Sequence, residues 1–323
     1  MIKTQSNMRI IDQLNEQNNR FNEAIEGLTA SKKSLQPKFL YDKYGSELFE
    51  QITQLKEYYP TRTELSIIEH SLDEILRHIG SGSTVIEFGS GASRKIRLLL
   101  ESGMIHEYVP IDISKSFLIE SSEQLSFDYP DIQVTGIVAD YTDQLNLPNE
   151  FIDSTKKKTV FFPGSTIGNF EKKEAQNFLL TISNLLSSGD GLLIGVDVKK
   201  PPRILHNAYN DNEGITAKFN LNMLTHLNRE LGANFNLNQF EHYAYYNAVM
   251  GRIEMHLVSM EDQIVTIGNV TIPFKNHETI HTENSYKYSI SEFHNLASAS
   301  GFILEKTWTD PEELFSLHYL SVL

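Results

Sequence analysis

Short apolar runs alternate with longer amphipathic stretches through the middle of this chain. The runs are rich in β-branched and aromatic residues, as expected of buried strands, and lie at 84–89, 107–113, 132–140, 158–165 and 191–198. Between them the apolar residues recur at helical spacing, most clearly from Lys172 to Leu186. Strands that alternate with helices predict right-handed βαβ units around a parallel sheet. The pattern therefore predicts a doubly wound α/β domain.

This alternation is interrupted between Lys199 and Lys287. The interrupting segment mixes a helical stretch at 216–231 with strand-like runs such as RIEMHLVSM and QIVTIGNVTI, which is typical of an inserted domain. The α/β pattern returns with a helix from Ser291 and two closing strands joined by a short acidic loop. Those strands predict a hairpin with an antiparallel edge.

The N-terminal region has a helical pattern of its own. Its apolar residues lie at near-helical spacing among polar ones, at positions 10, 11, 14, 21, 25 and 28. We therefore expect an amphipathic helix over residues 9–28. Its polar face is not basic enough for a membrane-surface helix, so the apolar face is expected to pack on the protein itself.

Charge and composition narrow the possible partners. Acidic residues outnumber basic ones by 42 to 28, giving a formal charge of −14. A nucleic-acid binder needs a basic patch to displace counterions. The nearest candidate, Lys156–Lys158, is interpreted as a solvated lead-in to a strand. We expect neither a nucleic-acid partner nor binding to an anionic membrane.

Other sequence features bear on location and on metal chemistry. No apolar run approaches the ~18 residues that span a bilayer, and MIKTQSNMRI contains no secretory apolar region. The absence of cysteine excludes disulfides and thiolate metal sites, which is typical of a cytoplasmic protein. None of the 11 histidines forms a recognisable ligand cluster with acids along the sequence, so no metal is expected. P-loop, zinc-protease and nucleophile-elbow motifs are also missing.

Candidate cofactor residues lie at the ends of successive predicted strands. The first strand ends in Glu87-Phe88-Gly89-Ser90-Gly91, and glycines at such a turn let the backbone approach a ligand closely. A dehydrogenase fingerprint needs glycine or alanine where Arg94 stands, so the turn resembles the first motif of methyltransferases instead.

Two aspartates extend this pattern. Asp112 ends the second strand, where a carboxylate suits ribose hydroxyls, and Asp140 ends the third, within reach of an adenine amino group. Ligands of open α/β sheets bind beyond the carboxyl ends of the strands. Each aspartate taken alone is equally compatible with a helix cap or a turn. Together with Glu87 they favour an S-adenosylmethionine site.

Longer motifs identify a family. LYDKYGSELFEQITQLKEYYPTRTE (40–64), VIEFGSGASRKIRLLL (85–100), FFPGSTIGNF (161–170), AYNDNEGITAKFNLNML (208–224), RIEMHL (252–257) and TENSYKY (282–288) resemble the histidine-specific Nα-methyltransferases of ergothioneine biosynthesis. The resemblance runs from about residue 30 to the C-terminus. It implies a Rossmann-like class I methyltransferase sheet with a second, mixed α+β substrate domain. The methyltransferase domain would comprise 63–199 plus 288–323, and the substrate domain 9–62 plus 200–287.

The resemblance also implies site residues. S-adenosylmethionine would be bound by Gly89, Lys95, Asp112, Asp140 and Tyr141, with Tyr41 nearby. The amino-acid carboxylate and amine would be held by Asn169 and Tyr209, with further substrate contacts from Tyr58, Gly164 and Met255. Glu283 and Ser285 would recognise the imidazole ring. Arg94 replaces an acid of the family, and Pro163 precedes its GSTIGN stretch, but neither change touches an assigned contact.

The residue chemistry agrees with the substrate assignments but leaves alternatives. Glu283 and Ser285 are two positions apart on a strand-like run, so they share one face, and a carboxylate beside a hydroxyl suits a ring with N–H donors. The alternative is a solvent-facing strand. Asn169 is also compatible with a turn or helix cap, and Tyr58 with a packed loop.

The predicted reaction is attack of a neutral α-amine on the sulfonium methyl group, with the amine proton passing to solvent or to Tyr58. The resemblance implies three successive methylations of L-histidine, giving hercynine. We expect a monomer that acts on this small-molecule substrate. Two alternatives remain at this point. One is an N-methyltransferase of another aromatic amino acid, whose ring site should lack Glu283, and the other is a catalytically silent binding module.

Overall fold

The structure is a computed structural model, and it describes residues 7–14, 18–91, 94–142, 147–148, 151 and 156–322. Its strands are β1 (Met8–Asp12), β2 (Ser83–Phe88), β3 (Ile105–Asp112), β4 (Gln133–Val138), β5 (Lys158–Phe162), β6 (Gly191–Asp197), β7 (Phe240–Asn247), β8 (Arg252–Ser259), β9 (Gln263–Ile267), β10 (Val270–Phe274), β11 (Thr279–Tyr286), β12 (Phe302–Thr309) and β13 (Phe315–Val322). Its α-helices are α1 (Asn18–Thr29), α2 (Lys43–Gln54), α3 (Tyr59–Ile79), α4 (Arg94–Leu100), α5 (Lys115–Asp128), α6 (Lys172–Leu185), α7 (Pro202–Tyr209), α8 (Ile215–Leu231) and α9 (Ile290–Ser298).

The chain divides into two compact units. The first unit comprises Met1–Leu14, Pro60–Lys199 and Lys287–Leu323. The second comprises Asn15–Tyr59 and Lys200–Tyr286. No helix in the described part of the chain is both long and apolar enough to cross a membrane.

The first unit is built on one eight-stranded sheet, in the order β1-β4-β3-β2-β5-β6-β13-β12. The strands from β1 to β6 pair in parallel, whereas β13 runs antiparallel to both β6 and β12. The predicted doubly wound sheet and its closing antiparallel hairpin are both confirmed. The chain moves outward from β2 through β3 to β4, and then resumes on the other side of β2 with β5. Ligands of such sheets bind at the carboxyl ends of the strands where the order reverses.

The core of this sheet explains the apolar runs. Every residue of β2, β5 and β6 is buried, as expected for parallel strands covered on both faces. On one face, the core packs the α3 residues Ile68, Ile75 and Ile79 with residues of α4 and of the strands. Lys158, interpreted from sequence as solvated, is 2% exposed, and its Nζ lies 3.2 Å from Asp190 Oδ2. That interpretation was therefore wrong for Lys158.

The prediction of one helix over residues 9–28 is also wrong. Met8–Asp12 form the edge strand β1, and the helix begins at Asn18. Residue Ile10 lies opposite Gly136 of β4, and its Cδ1 would be 2.6 Å from a Cβ at that glycine. The absence of a side chain at Gly136 therefore makes room for Ile10. Pairing with β4 supplies main-chain hydrogen bonds that a helical reading of the sequence cannot anticipate.

The second unit combines helices with two small antiparallel sheets. One sheet has the order β11-β8-β7, and the other is the β9–β10 hairpin. Helix α2 begins after Asp42, whose Oδ1 accepts the Gly45 N–H at 2.7 Å. The other oxygen of Asp42 accepts from Arg229 of α8 at 2.8 Å, so this cap also ties two helices together.

Candidate functional site

A glycine turn follows β2 in the first unit. Gly89 and Gly91 have φ values of 69° and 49°, in the left-handed region that favours glycine. The Gly89 N–H donates to Ile111 O of β3 at 2.8 Å. A Cβ at Gly91 would have no atom within 4 Å among the described residues, so none of them fills the space beside this glycine. Ala92 and Ser93 of the same motif lie outside the described residues.

Asp112 is held firmly at the end of β3. Its Oδ2 accepts the Gly91 N–H at 3.1 Å, and its Oδ1 accepts the Ser114 N–H at 2.9 Å. Burial raises the pKa of this carboxyl above its usual value, although the backbone N–H bonds oppose the shift. Each oxygen of a carboxylate accepts two hydrogen bonds. Asp112 therefore remains able to bind a pair of ligand hydroxyls from a fixed position.

Asp140 and Tyr141 follow β4. The Asp140 Oδ1 accepts the Thr142 N–H at 3.0 Å, which makes Asp140 a turn residue as well as a candidate ligand contact. The Tyr141 ring packs against three phenylalanines, with ring centroids 5.9–6.0 Å away, at Phe88, Phe162 and Phe178. Its hydroxyl would lie 3.6 Å from a Cβ at Gly89. The aromatic packing thus fixes Tyr141 against the glycine turn.

Lys95 and Gly164 meet at a buried carboxylate that the sequence analysis missed. Glu64 of α3 is 0% exposed, and its Oε2 lies 2.5 Å from Lys95 Nζ. The same oxygen accepts the Gly164 N–H at 2.9 Å, and Oε1 accepts it at 3.1 Å. Glu64 therefore connects a predicted cofactor residue to a predicted substrate residue.

The space for this carboxylate depends on a glycine. A Cβ at Gly195 of β6 would lie 2.0 Å from Glu64 Oε1 and 2.9 Å from its Cδ. No side chain fits there without moving Glu64. The sequence contains a signal for a buried acid at this position, because Glu64 lies four positions before Ile68 on the buried face of α3. An acid on an apolar helix face must find a partner when it is buried.

The loop after β5 is unusually tight. Gly164 has a φ of 81°, and Ser165, which is not glycine, has a φ of 58°. The Ser165 hydroxyl oxygen accepts the Asp197 N–H at 2.9 Å, which holds this conformation against β6. A short 3₁₀ turn follows over Thr166–Asn169 and ends at the predicted substrate residue Asn169. Left-handed non-glycine residues cost energy and are enriched at functional sites.

Glu87 of the E-x-G-x-G motif is buried in the first unit and accepts a hydrogen bond from Tyr108 Oη of β3. Burial raises the pKa of Glu87 to about 8, although the Tyr108 hydrogen bond and the charge of Lys95 lower it. The carboxyl is therefore largely protonated at neutral pH.

In the second unit, the structure links three predicted substrate residues. The Tyr209 hydroxyl, at the end of α7, donates to Ser285 Oγ of β11 at 2.7 Å. The Tyr58 ring lies edge-on to the Tyr209 ring, with centroids 6.4 Å apart. The Tyr209 carbonyl is bonded to His242 Nε2 of β7 at 2.9 Å, which anchors the end of α7 to the sheet.

Glu283 lies directly opposite Met255 in the β11–β8 register, and Ser285 lies opposite Ile253. Because side chains alternate along a strand, these residues share one face of the sheet. Glu283 and Ser285 are 7% and 5% exposed, so the alternative of a solvent-facing strand is wrong. Tyr58 and Tyr209 are each 8% exposed, and Phe49 lies between Tyr58 and Tyr41, at 6.3 and 5.8 Å from their ring centroids.

The predicted residues thus fall into two groups. The first unit contains Gly89, Lys95, Asp112, Asp140, Tyr141, Gly164 and Asn169, and the second contains Tyr41, Tyr58, Tyr209, Met255, Glu283 and Ser285. Side-chain contacts join Tyr58, Tyr209 and Ser285 directly, whereas Asp112, Asp140 and Asn169 are each placed by the turn in which they lie.

Two histidines and an acid that the sequence does not group lie together in the second unit. Glu254, His256 and His281 are on the β8–β11 pair, with potential ligand atoms within 4.8 Å of one another. No such cluster is visible along the sequence because His281 comes from the neighbouring strand, 25 positions after His256.

Comparison with known proteins identifies the family of this chain. The family model of histidine-specific, S-adenosylmethionine-dependent methyltransferases matches residues 21–322. The chain belongs to this family. The predicted family is therefore confirmed, and the parallel sheet with its antiparallel hairpin is the Rossmann-like class I sheet of a methyltransferase.

Relatives of this methyltransferase carry consistent names. The histidine N-alpha-methyltransferase of Mycolicibacterium smegmatis is 38% identical over 297 residues, covering 90% of this chain and 91% of that protein. The protein of the same name from Mycobacterium tuberculosis is 35% identical over 301 residues, covering 91% and 92%. Ergothioneine biosynthesis protein 1 of Neurospora crassa is 33% identical over 290 residues, covering 87% of this chain but 32% of that longer protein.

Proposed function

We propose that this methyltransferase transfers methyl groups from S-adenosylmethionine to the α-amine of L-histidine, three times in succession, to give hercynine for ergothioneine biosynthesis. The observation that carries the proposal is the buried face of β11, where Glu283 and Ser285 stand side by side and Ser285 is bonded to Tyr209. A carboxylate beside a hydroxyl suits a ring with N–H donors.

The first unit has residues that fit S-adenosylmethionine. None of the described residues fills the space beside Gly91, and the Asp112 carboxylate is oriented by two backbone N–H groups at the end of its strand. We propose that Asp112 accepts the ribose hydroxyls, that Asp140 and Tyr141 contact the adenine, and that Gly89 and Lys95 complete the site. S-adenosylmethionine supplies an electrophilic methyl group on a sulfonium cation, and the protein is left with binding and orientation.

The chain's own residues would then hold the amino acid and govern its proton. Asn169 and Tyr209 would bind the carboxylate and the amine, while Glu283 and Ser285 would orient the ring, with Met255 packed beside Glu283. Holding two reactants in the correct orientation can lower the free-energy barrier of such a reaction by roughly 7–11 kcal/mol. An ammonium has no lone pair, so the amine must lose a proton before each methylation, to solvent or with help from Tyr58.

Incubation with S-adenosylmethionine and each of the twenty amino acids in turn, followed by mass spectrometry, tests the proposal. We expect trimethylated histidine and little product from the other amino acids. Histamine, which lacks the carboxylate, should be a poor substrate, and turnover should rise from about pH 6 toward about pH 9 as more amine becomes neutral. Ring methylation, arrest after one methyl group or efficient histamine turnover would each contradict a part of the mechanism.

The same experiment separates the alternatives. An enzyme for another aromatic amino acid would give its product with that amino acid rather than with histidine. A silent binding module would bind S-adenosylmethionine and give no product with any of them. We further propose that the enzyme acts as a cytoplasmic monomer on free histidine, and light scattering at working concentration measures its mass directly.

A further inference from the structure

A cluster of potential metal ligands occupies the β8–β11 pair of the second unit. Glu254 and His256 are two positions apart on β8 and therefore point to the same face. His281 of β11 lies directly opposite His256 in the strand register. One potential ligand atom from each residue lies within 4.8 Å of the others, and the two imidazole centroids are 4.9 Å apart.

This cluster is separate from the proposed substrate residues. Met255 lies between Glu254 and His256 along β8, so its side chain points to the opposite face of the sheet. Glu283 is the register partner of Met255, and a register shift between His281 and Glu283 places the Glu283 side chain on that opposite face. The Glu283 carbonyl oxygen lies 3.2 Å from His281 Nε2, so Glu283 contacts the cluster through its backbone. The cluster is therefore not used by the proposed reaction, and its function can be tested without reference to methylation.

Hydrogen bonds from neighbouring side chains fix the position of the Glu254 carboxylate. Glu254 Oε1 accepts from Arg252 Nε at 2.8 Å and from Asn247 Nδ2 at 3.0 Å. The other oxygen, Oε2, accepts from Tyr245 Oη at 2.6 Å and lies 3.3 Å from His256 Nε2. Outer hydrogen bonds of this kind orient the ligands of metal sites. Arg252 and Asn247 bond to Oε1, so the oxygen that faces His256 is Oε2, which also accepts from Tyr245.

One nitrogen of the cluster has no hydrogen-bond partner among the described residues. Among the described residues, His256 Nδ1 is buried without a hydrogen-bond partner. A flip of an imidazole ring exchanges each nitrogen with a carbon, and the orientation of a ring is assigned from its hydrogen bonds. The Nε2 atoms already have protein partners, since His256 Nε2 lies 3.3 Å from Glu254 Oε2 and His281 Nε2 lies 3.2 Å from the Glu283 carbonyl oxygen. A cation bound between the two rings and Glu254 would therefore compete with these two contacts.

We propose that Glu254, His256 and His281 bind one transition-metal ion of the zinc class. Two imidazole nitrogens and a carboxylate form the ligand set of known zinc sites, with a water molecule at the further position. Ligand atoms around a tetrahedral zinc ion are roughly 3.4 Å apart for bonds of about 2.1 Å. His256 Nε2 and Glu254 Oε2 are 3.3 Å apart in their direct contact, so a bound ion would replace that contact without a large movement of either atom. Nitrogen ligands favour zinc over magnesium or calcium, which prefer oxygen. A bound ion would tie β8 to β11.

Metal titration of the untagged, metal-free full chain tests this site. Calorimetry with Zn²⁺ should show one ion per chain, the melting temperature should rise with Zn²⁺, and Co²⁺ should give the visible spectrum of a nitrogen- and oxygen-ligated site. His256→Gln and His281→Gln should each weaken Zn²⁺ binding by at least about tenfold. His106→Gln changes an exposed histidine of the first unit and should bind as the wild type does.

Two further measurements distinguish loss of Zn²⁺ binding from loss of folding, and binding at this cluster from binding at other histidines. Circular dichroism of each variant establishes that lost binding is not lost folding. In the wild type, Zn²⁺ should protect His256 and His281, but not His106, from acylation by diethyl pyrocarbonate mapped by mass spectrometry. Failure of the wild type to bind Zn²⁺ at one per chain, retention of full affinity in both variants, or equal protection of His106 would overturn the proposal.

Discussion

Replacement of Glu64 by glutamine tests whether the buried carboxylate positions the cofactor residues. The side chain is 0% exposed, and it bonds to Lys95 Nζ at 2.5 Å and to the Gly164 N–H at 2.9 Å. Glutamine keeps the shape and one acceptor oxygen, so it can still accept the Gly164 N–H. It removes the charge that Lys95 requires.

The expected loss follows from burial. Removal of one partner from a fully buried ion pair costs roughly 3–5 kcal/mol. The Lys95 side chain is 15% exposed and so keeps some contact with solvent. A single hydrogen bond to a charged group is worth about 1.5–3 kcal/mol, and this lower range is the better expectation for Glu64→Gln. Both the free energy of unfolding and the affinity for S-adenosylmethionine should fall, the latter by about tenfold or more.

Urea unfolding and calorimetry with S-adenosylmethionine measure the two effects separately. Asp190→Asn is a matched control in the same unit, because Asp190 is 4% exposed and pairs with Lys158 at 3.2 Å. It should reduce stability and leave cofactor affinity unchanged. Gly195→Ala should reproduce the loss of affinity, since its Cβ would displace Glu64. If Glu64→Gln lowers stability but binds S-adenosylmethionine as tightly as the wild type, the positioning role is refuted.

Three further predictions concern single carboxylates. Asp112→Ala should weaken S-adenosylmethionine binding by about tenfold or more, because hydrogen bonds to a charged acceptor are worth roughly 1.5–3 kcal/mol; unchanged calorimetric affinity would remove Asp112 from the cofactor site. Glu283→Ala should lower the preference for histidine over other aromatic amino acids in a mixed-substrate assay and keep the rise of turnover with pH; an unchanged preference would exclude ring recognition by Glu283. The pKa of Glu87 is raised from 4.5 to about 8, so the native state keeps a proton that the unfolded state releases. The free energy of unfolding should therefore fall as the pH rises from 4.5 to about 8. Urea titrations of Glu87→Gln should show a smaller fall than those of the wild type, and an equal fall would contradict the shifted pKa.

Local patterns in the sequence determined much of this protein. Apolar runs bounded by turn residues predicted β2 to β6, the helices between them and the closing β12–β13 hairpin, because each depends on periodicity within a few residues. The glycines after β2 and the aspartate after β3 predicted the cofactor end of the sheet for the same reason. The longer motifs of residues 40–64 and 161–170 identified the family before any contact was known.

Contacts between distant residues were decided only by the tertiary structure. Residues 8–12 pair with β4, more than a hundred positions away, so their short apolar run was misread as helix. Glu64 bonds to Gly164 across 100 positions, and Tyr209 to Ser285 across 76, and no local pattern encodes either partner. The cluster of Glu254, His256 and His281 likewise needs the strand register, which places His281 opposite His256. Periodicity in the sequence predicts which face of an element is buried. The partner that a buried polar group contacts on that face depends on packing between elements that are far apart in the chain.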